Sequence, residues 1–157
     1  MENRFYEGRK LEAIVVELKE VALRAISLTG SGELNQTGLM FDQPMNLGGP
    51  RECLKNSLYK VNLAGCLTEA GWSVVSLNSV FPDIRALKYG IEAGIESRLL
   101  YRNIHFAEIK RMMHECRPKP RIILLVVYKR LNEEAYRIFR GWSSSKGIVG
   151  SVLYLLR

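Results

Sequence analysis

Residues 72–98 read Trp72-Ser73-Val74-Val75-Ser76-Leu77-Asn78-Ser79-Val80-Phe81-Pro82-Asp83-Ile84-Arg85-Ala86-Leu87-Lys88-Tyr89-Gly90-Ile91-Glu92-Ala93-Gly94-Ile95-Glu96-Ser97-Arg98. At Trp72 the apolar period changes from helical to two. Val75, Leu77 and Phe81 alternate with Val74, Ser76, Asn78 and Val80, which predicts a strand over about 72–81. A second extended run follows Pro82, from Ile84 to about Ile95, either unbroken or folded into a hairpin at Lys88-Tyr89-Gly90.

Outward from this stretch the pattern is helical on the N-terminal side. Leu11, Ile14, Val15, Leu18, Val21, Ala22 and Ala25 recur at steps of three and four, predicting an amphipathic helix over about 9–28. Residues 32–50, rich in Gly, Asn, Gln and Pro, read as a long loop. Pro50 then opens a second helix carrying Leu54, Leu58, Val61 and Ala64, and Gly71 ends it. On the C-terminal side, 98–116 is helix-like until Arg117-Pro118-Lys119-Pro120 closes it. Ile122–Tyr128 is a continuous β-branched and Leu run of the kind buried on both faces of a sheet. Asn132 caps a short helix over about 133–142, and 148–156 reads as a last strand.

The expectation is therefore an α+β (α/β-like) fold, with a mixed sheet of four or five strands flanked by helices. At 157 residues the chain suits one domain rather than two: an N-terminal helix and loop over 1–50, and a core over 51–157. Apolar residues make up 47% and charged residues 25%, which excludes the disordered and fibrous classes. Nothing approaches the ~20 apolar residues of a membrane span, so no membrane partner is expected. Three cysteines, Cys53, Cys66 and Cys116, without a C-x-x-C pair fit a reducing, cytoplasmic setting.

Charge adds a functional hint. The net charge is +7, but residues 1–84 hold eight bases and ten acids, net −2, while 85–157 hold fifteen bases and six acids, net +9. Arg85 and a run of seven bases, Arg98, Arg102, Lys110, Arg111, Arg117, Lys119 and Arg121, form a candidate surface for a polyanion, with double-stranded DNA the expected partner. A solvated basic face with no ligand is the competing expectation.

Metal-dependent phosphodiester cleavage needs carboxylates to hold a divalent cation, and a cation to stabilise developing charge. Asp83 and Glu92 supply two acids for Mg²⁺ or Mn²⁺, and Lys88 supplies the positive charge. In an acid-x-Lys pattern ending at Lys88 the acid falls at position 86, where the chain has Ala86. Either the site uses Glu92, or the chain lacks a glutamate at 86 and is close to inactive. Glu108-Ile109-Lys110 has the spacing in the literal sense, but its helical periodicity sends the two side chains to different faces. His105 and His114 offer no triad, and no glycine loop matches a nucleotide cradle.

A helix ending in Gly-Trp, a strand boundary at Pro82-Asp83, a second strand with its Glu and the strand at 122–128 together resemble the αββαβ core of the PD-(D/E)xK nucleases and restriction-type endonucleases, over about residues 55–128. In length, basicity and the 83–92 segment the chain is also similar to small double-stranded-DNA nucleases of filamentous viruses of archaea, which would place it in a host cytoplasm. The resemblance implies a nuclease with its catalytic glutamate at the position of Ala86, and hence an inactivated variant. Nucleases of this size often cut both strands as a pair, so a homodimer is one expectation. The alternatives are a DNA-binding protein of nuclease-like fold that performs no chemistry, and a protein-interaction module.

Overall fold

The computed structural model describes residues 2–31, 51–77, 81–98, 106–128 and 131–155. The loop expected over 32–50 and Arg102 lie outside them. The elements run α1 (Glu2–Gly30), α2 (Arg51–Glu69), β1 (Ser73–Leu77), β2 (Ile84–Lys88), β3 (Ile91–Arg98), α3 (Phe106–Glu115), β4 (Ile122–Val127), α4 (Glu133–Ser145) and β5 (Val149–Tyr154). The fold is α+β, with a five-stranded mixed sheet in the order β1-β2-β3-β4-β5. β1, β2 and β3 pair antiparallel; β4 and β5 join parallel, each through a helical crossover, as parallel neighbours require.

β4 shows why the sheet is central. Its sequence Ile122-Ile123-Leu124-Leu125-Val126-Val127 is buried at every position. Ile122, Leu124 and Val126 pack with Leu18, Tyr59, Leu63 and Leu67 of α1 and α2. Ile123, Leu125 and Val127 pack on the other face with Ile109, Met112, Ala135 and Phe139 of α3 and α4. The strand period of two thus divides one apolar run between two cores. α1 and α2 are tied by Tyr59, whose hydroxyl donates to Ala22 O at 3.1 Å, and by the Asn62 amide donating to Thr29 Oγ1 at 3.0 Å; burial pushes the Tyr59 phenol far up. The Asn132 cap is made, its side chain accepting from the Ala135 N–H at 2.7 Å. No described helix is long and apolar enough to cross a membrane.

Of the two alternatives for the run after Pro82, the structure has the hairpin, with a two-residue turn at Tyr89 (φ 57°) and Gly90 (φ 68°), the left-handed pair that suits the twist of two strands. The strand after that turn continues to Arg98 rather than ending near Ile95, because Glu96, Ser97 and Arg98 pair with Leu125, Val126 and Val127 of β4. The helix expected from 98 is described from Phe106.

Candidate active site

The hairpin register determines which side chains meet. Ile84 pairs with Ile95, Arg85 with Gly94, Ala86 with Ala93, Leu87 with Glu92 and Lys88 with Ile91. Directly paired residues share a face and neighbours along a strand alternate. Extending the register by one position sets Asp83 against Glu96.

The contact is made: the Asp83 N–H donates to Glu96 Oε1 at 2.9 Å. Lys60 Nζ, from α2, lies 3.4 Å from Asp83 Oδ1. Arg98 Nε lies 2.9 Å from Glu96 Oε2, an ion contact not aligned for a hydrogen bond, so both atoms are buried without a hydrogen-bond partner. Two acids and two bases therefore converge where β2 begins and β3 ends. Glu96 is only 1% exposed. Burial, and then the charge of Asp83, push its carboxyl well above the usual carboxylate range, against the pull of Arg98.

Pro82 and Gly94 fix this geometry. A Cβ on Gly94 would stand 2.1 Å from Pro82 Cγ, so β3 needs a glycine for Pro82 to cross it and deliver Asp83. Arg85, almost fully buried, braces the same turn: Nη2 donates to Phe81 O at 3.1 Å and Nη1 to Glu92 Oε1 at 3.2 Å. Gly94→Val is expected to displace Pro82, lower stability by roughly 1–3 kcal/mol through overpacking and abolish any function of the acid pair. A thermal melt and a cleavage assay on the same preparation check both effects.

The sequence-derived site is corrected on three residues. Ala86 is 1% exposed and sits in the core shared with α1 and α2, so position 86 faces helices rather than a phosphate. Lys88, of the same parity as Ala86, lies on the opposite face from Asp83. Its Nζ donates to Glu17 Oε1 at 2.6 Å and Ala70 O at 2.5 Å and rests 4.8 Å from the Tyr89 ring centre. The bond to Glu17 raises its pKa, which marks a clamp between β2, α1 and the end of α2. Glu92 shares a face with Glu96 but stands four residues back, roughly 13 Å along the strand, where it pairs with Arg85. Asp83 and Glu92 are thus not brought together; Asp83 and Glu96 are.

The basic candidates divide as well. Arg85 is buried in the brace and Arg98 belongs to the acid cluster. Lys110, Arg111, Arg117, Lys119 and Arg121 are exposed on α3 and the link to β4, with Arg111 paired to Glu115 at 3.1 Å. Glu108 and Lys110 lie on α3 either side of buried Ile109, as the helical reading required.

Glu96-Ser97-Arg98 is itself an acid-x-base pattern on one strand face, downstream of Pro82-Asp83. Only its arginine separates it from the acid-x-Lys pattern sought around Lys88. The signal in the sequence is an acid-x-Arg pattern on the strand that follows a two-residue turn at Tyr89-Gly90.

Whether the cluster fits a divalent cation turns on its donors. Among the described residues no group of three or more His, Cys, Asp or Glu side chains could hold a metal ion. Asp83 and Glu96 make a two-carboxylate site, which suits Mg²⁺, an ion that commonly keeps its waters and takes one or two carboxylates plus phosphate oxygens. Glu96 Oε2 accepts no hydrogen bond but already faces the Arg98 guanidinium at 2.9 Å, so a divalent ion there would share that oxygen with Arg98. Comparison with protein-family models, curated proteins and solved structures finds no match, so the geometry alone carries the reading.

Proposed function

We propose that the chain is a metal-dependent nuclease acting on double-stranded DNA, with Asp83 and Glu96 as the acids that hold the cation. One observation carries the reading: Pro82-Asp83 at the start of one strand meets Glu96-x-Arg98 at the end of the next, with Lys60 at the same point. A divalent ion bound there would polarise a phosphoryl oxygen and lower the pKa of its water.

The remaining work falls to this chain's own side chains. Arg98, with 38% of its side chain exposed, reaches from Glu96 toward solvent and offers a guanidinium to phosphate oxygens in a forked geometry that a lysine lacks. Lys60, 3.4 Å from Asp83 Oδ1, braces that carboxylate from α2. The exposed bases of α3 and the α3–β4 link add the salt-dependent attraction that draws a polyanion in.

Linear duplex DNA incubated with the protein and Mg²⁺ or Mn²⁺ is expected to be cleaved, and chelator is expected to stop the reaction. Intact DNA with both ions across neutral to mildly alkaline pH would overturn the reading. DNA binding without cleavage is favoured by one observation, the near-complete burial of Glu96. It predicts salt-sensitive binding that leaves the DNA intact in that same assay.

A further inference from the structure

A groove of about 630 Å³ lies at the other end of the sheet from the acid cluster. Arg117, Lys119, Trp142 and Lys146 are among the residues lining it, and none of its lining residues is a carboxylate. Its walls are the last turn of α3, the α3–β4 link and the C-terminal end of α4. Because Ile122 pairs with Ala93, and the Arg121 N–H donates to Glu92 O at 2.9 Å, the link sits where β3 begins. Glu96 is three residues further along, roughly 10 Å.

Two helices end here, and cations near helix C-termini need no ligand to explain them. The magnitudes do not balance, however. The ends of α3 and α4 together carry about one negative charge, against three full positive charges on Arg117, Lys119 and Lys146. None of the three makes an ion pair among the described residues. A surplus of about two charges faces solvent beside an indole that is only partly buried.

Cations flanking an aromatic plane suit a phosphodiester strand, the bases stacking while phosphates meet the cations. Arg117, Pro118, Lys119 and Lys146 are all exposed, so a free nucleotide would remain half in water, whereas small-ligand sites bury most of their ligand. A continuing strand has no such requirement. We propose that this groove binds a single-stranded nucleic-acid segment, with a base on Trp142 and phosphates on Arg117, Lys119 and Lys146.

The test follows tryptophan emission in chelator while a short oligothymidylate is added at several salt concentrations. Without divalent cation no cleavage is read, so the outcome is independent of the nuclease reading. The chain has two tryptophans, and Trp72 is buried; quenching is therefore expected to come from Trp142. Trp142→Phe should lose the signal, and Trp142→Ala should, by a labelled-oligonucleotide assay, weaken binding by about tenfold. Lys119→Glu with Lys146→Glu changes two exposed residues, a melt confirming the fold. It should shift the slope of log K against log salt by about 1.4, two contacts at ~0.7 each. An unchanged affinity and slope in that double variant would overturn the proposal. So would equal quenching by blunt duplex, or by thymidine monophosphate at the same concentration.

Discussion

Glu96→Gln is expected to lower the metal-dependent cleavage rate by about three orders of magnitude, roughly 4 kcal/mol of transition-state stabilisation, while leaving the fold intact. Gln has the same shape and can still accept the Asp83 N–H, but it removes half of the charge that would hold the cation. The same substitution should change stability in the opposite sense. The folded-state pKa of Glu96 is raised above its ordinary 4.5, so the native protein keeps a proton that the unfolded chain gives up. The stability this provides is fully present below 4.5 and is lost as pH rises through the folded value. In chelator, the melting temperature of the native sequence should fall as pH rises from mildly acidic to alkaline, and Glu96→Gln should flatten that fall. A variant that cleaves DNA at the original rate would remove Glu96 from the chemistry.

Ala86→Glu, the substitution that the sequence reading offers as a repair, is expected to damage the protein instead. Ala86 is 1% exposed, between Val74 and Ala93 in the sheet and against the α1–α2 layer. A glutamate there must overpack the core, at about 1–3 kcal/mol, and either bury a charge or take up a proton, at a further cost of several kcal/mol. A total of about 4 kcal/mol or more is a large part of the 5–15 kcal/mol that holds a typical domain together. For a chain of this length it lowers the melting temperature by about 8–16 °C. No gain in cleavage should accompany it. A stable Ala86→Glu protein with raised activity would return the site to Lys88.

The contrast between these substitutions shows what was legible in the sequence. The order of helices and strands, the doubly buried run at Ile122–Val127 and the Asn132 cap follow from period and local chemistry, and the structure has them. Asp83 was singled out because Pro-Asp stands at a strand boundary, and it does meet a second acid. Its partner was missed because strand parity depends on the turn. With Tyr89-Gly90 as a two-residue turn, Asp83 faces Glu96 and Lys88 faces the helices; without it, no register is defined. An acid-x-Lys pattern does not contain Arg98, and a strand ending near Ile95 leaves Glu96 off the sheet. The parallel pairing with β4 that carries β3 to Arg98 is long-range, and no local window contains it. Lys60 carries no signal at all, since only the packing of α2 on the sheet brings it to Asp83.

The central claim, that Asp83 and Glu96 form a divalent-cation site, is tested most directly by isothermal titration of Mn²⁺ into the native protein and into Asp83→Asn. The native protein is expected to bind one ion per chain and to release a proton from Glu96 as it does so, seen as heat that changes with the ionisation enthalpy of the buffer. Asp83→Asn should show neither. Absence of Mn²⁺ binding in the native protein, or binding that survives Asp83→Asn unchanged, would contradict the account.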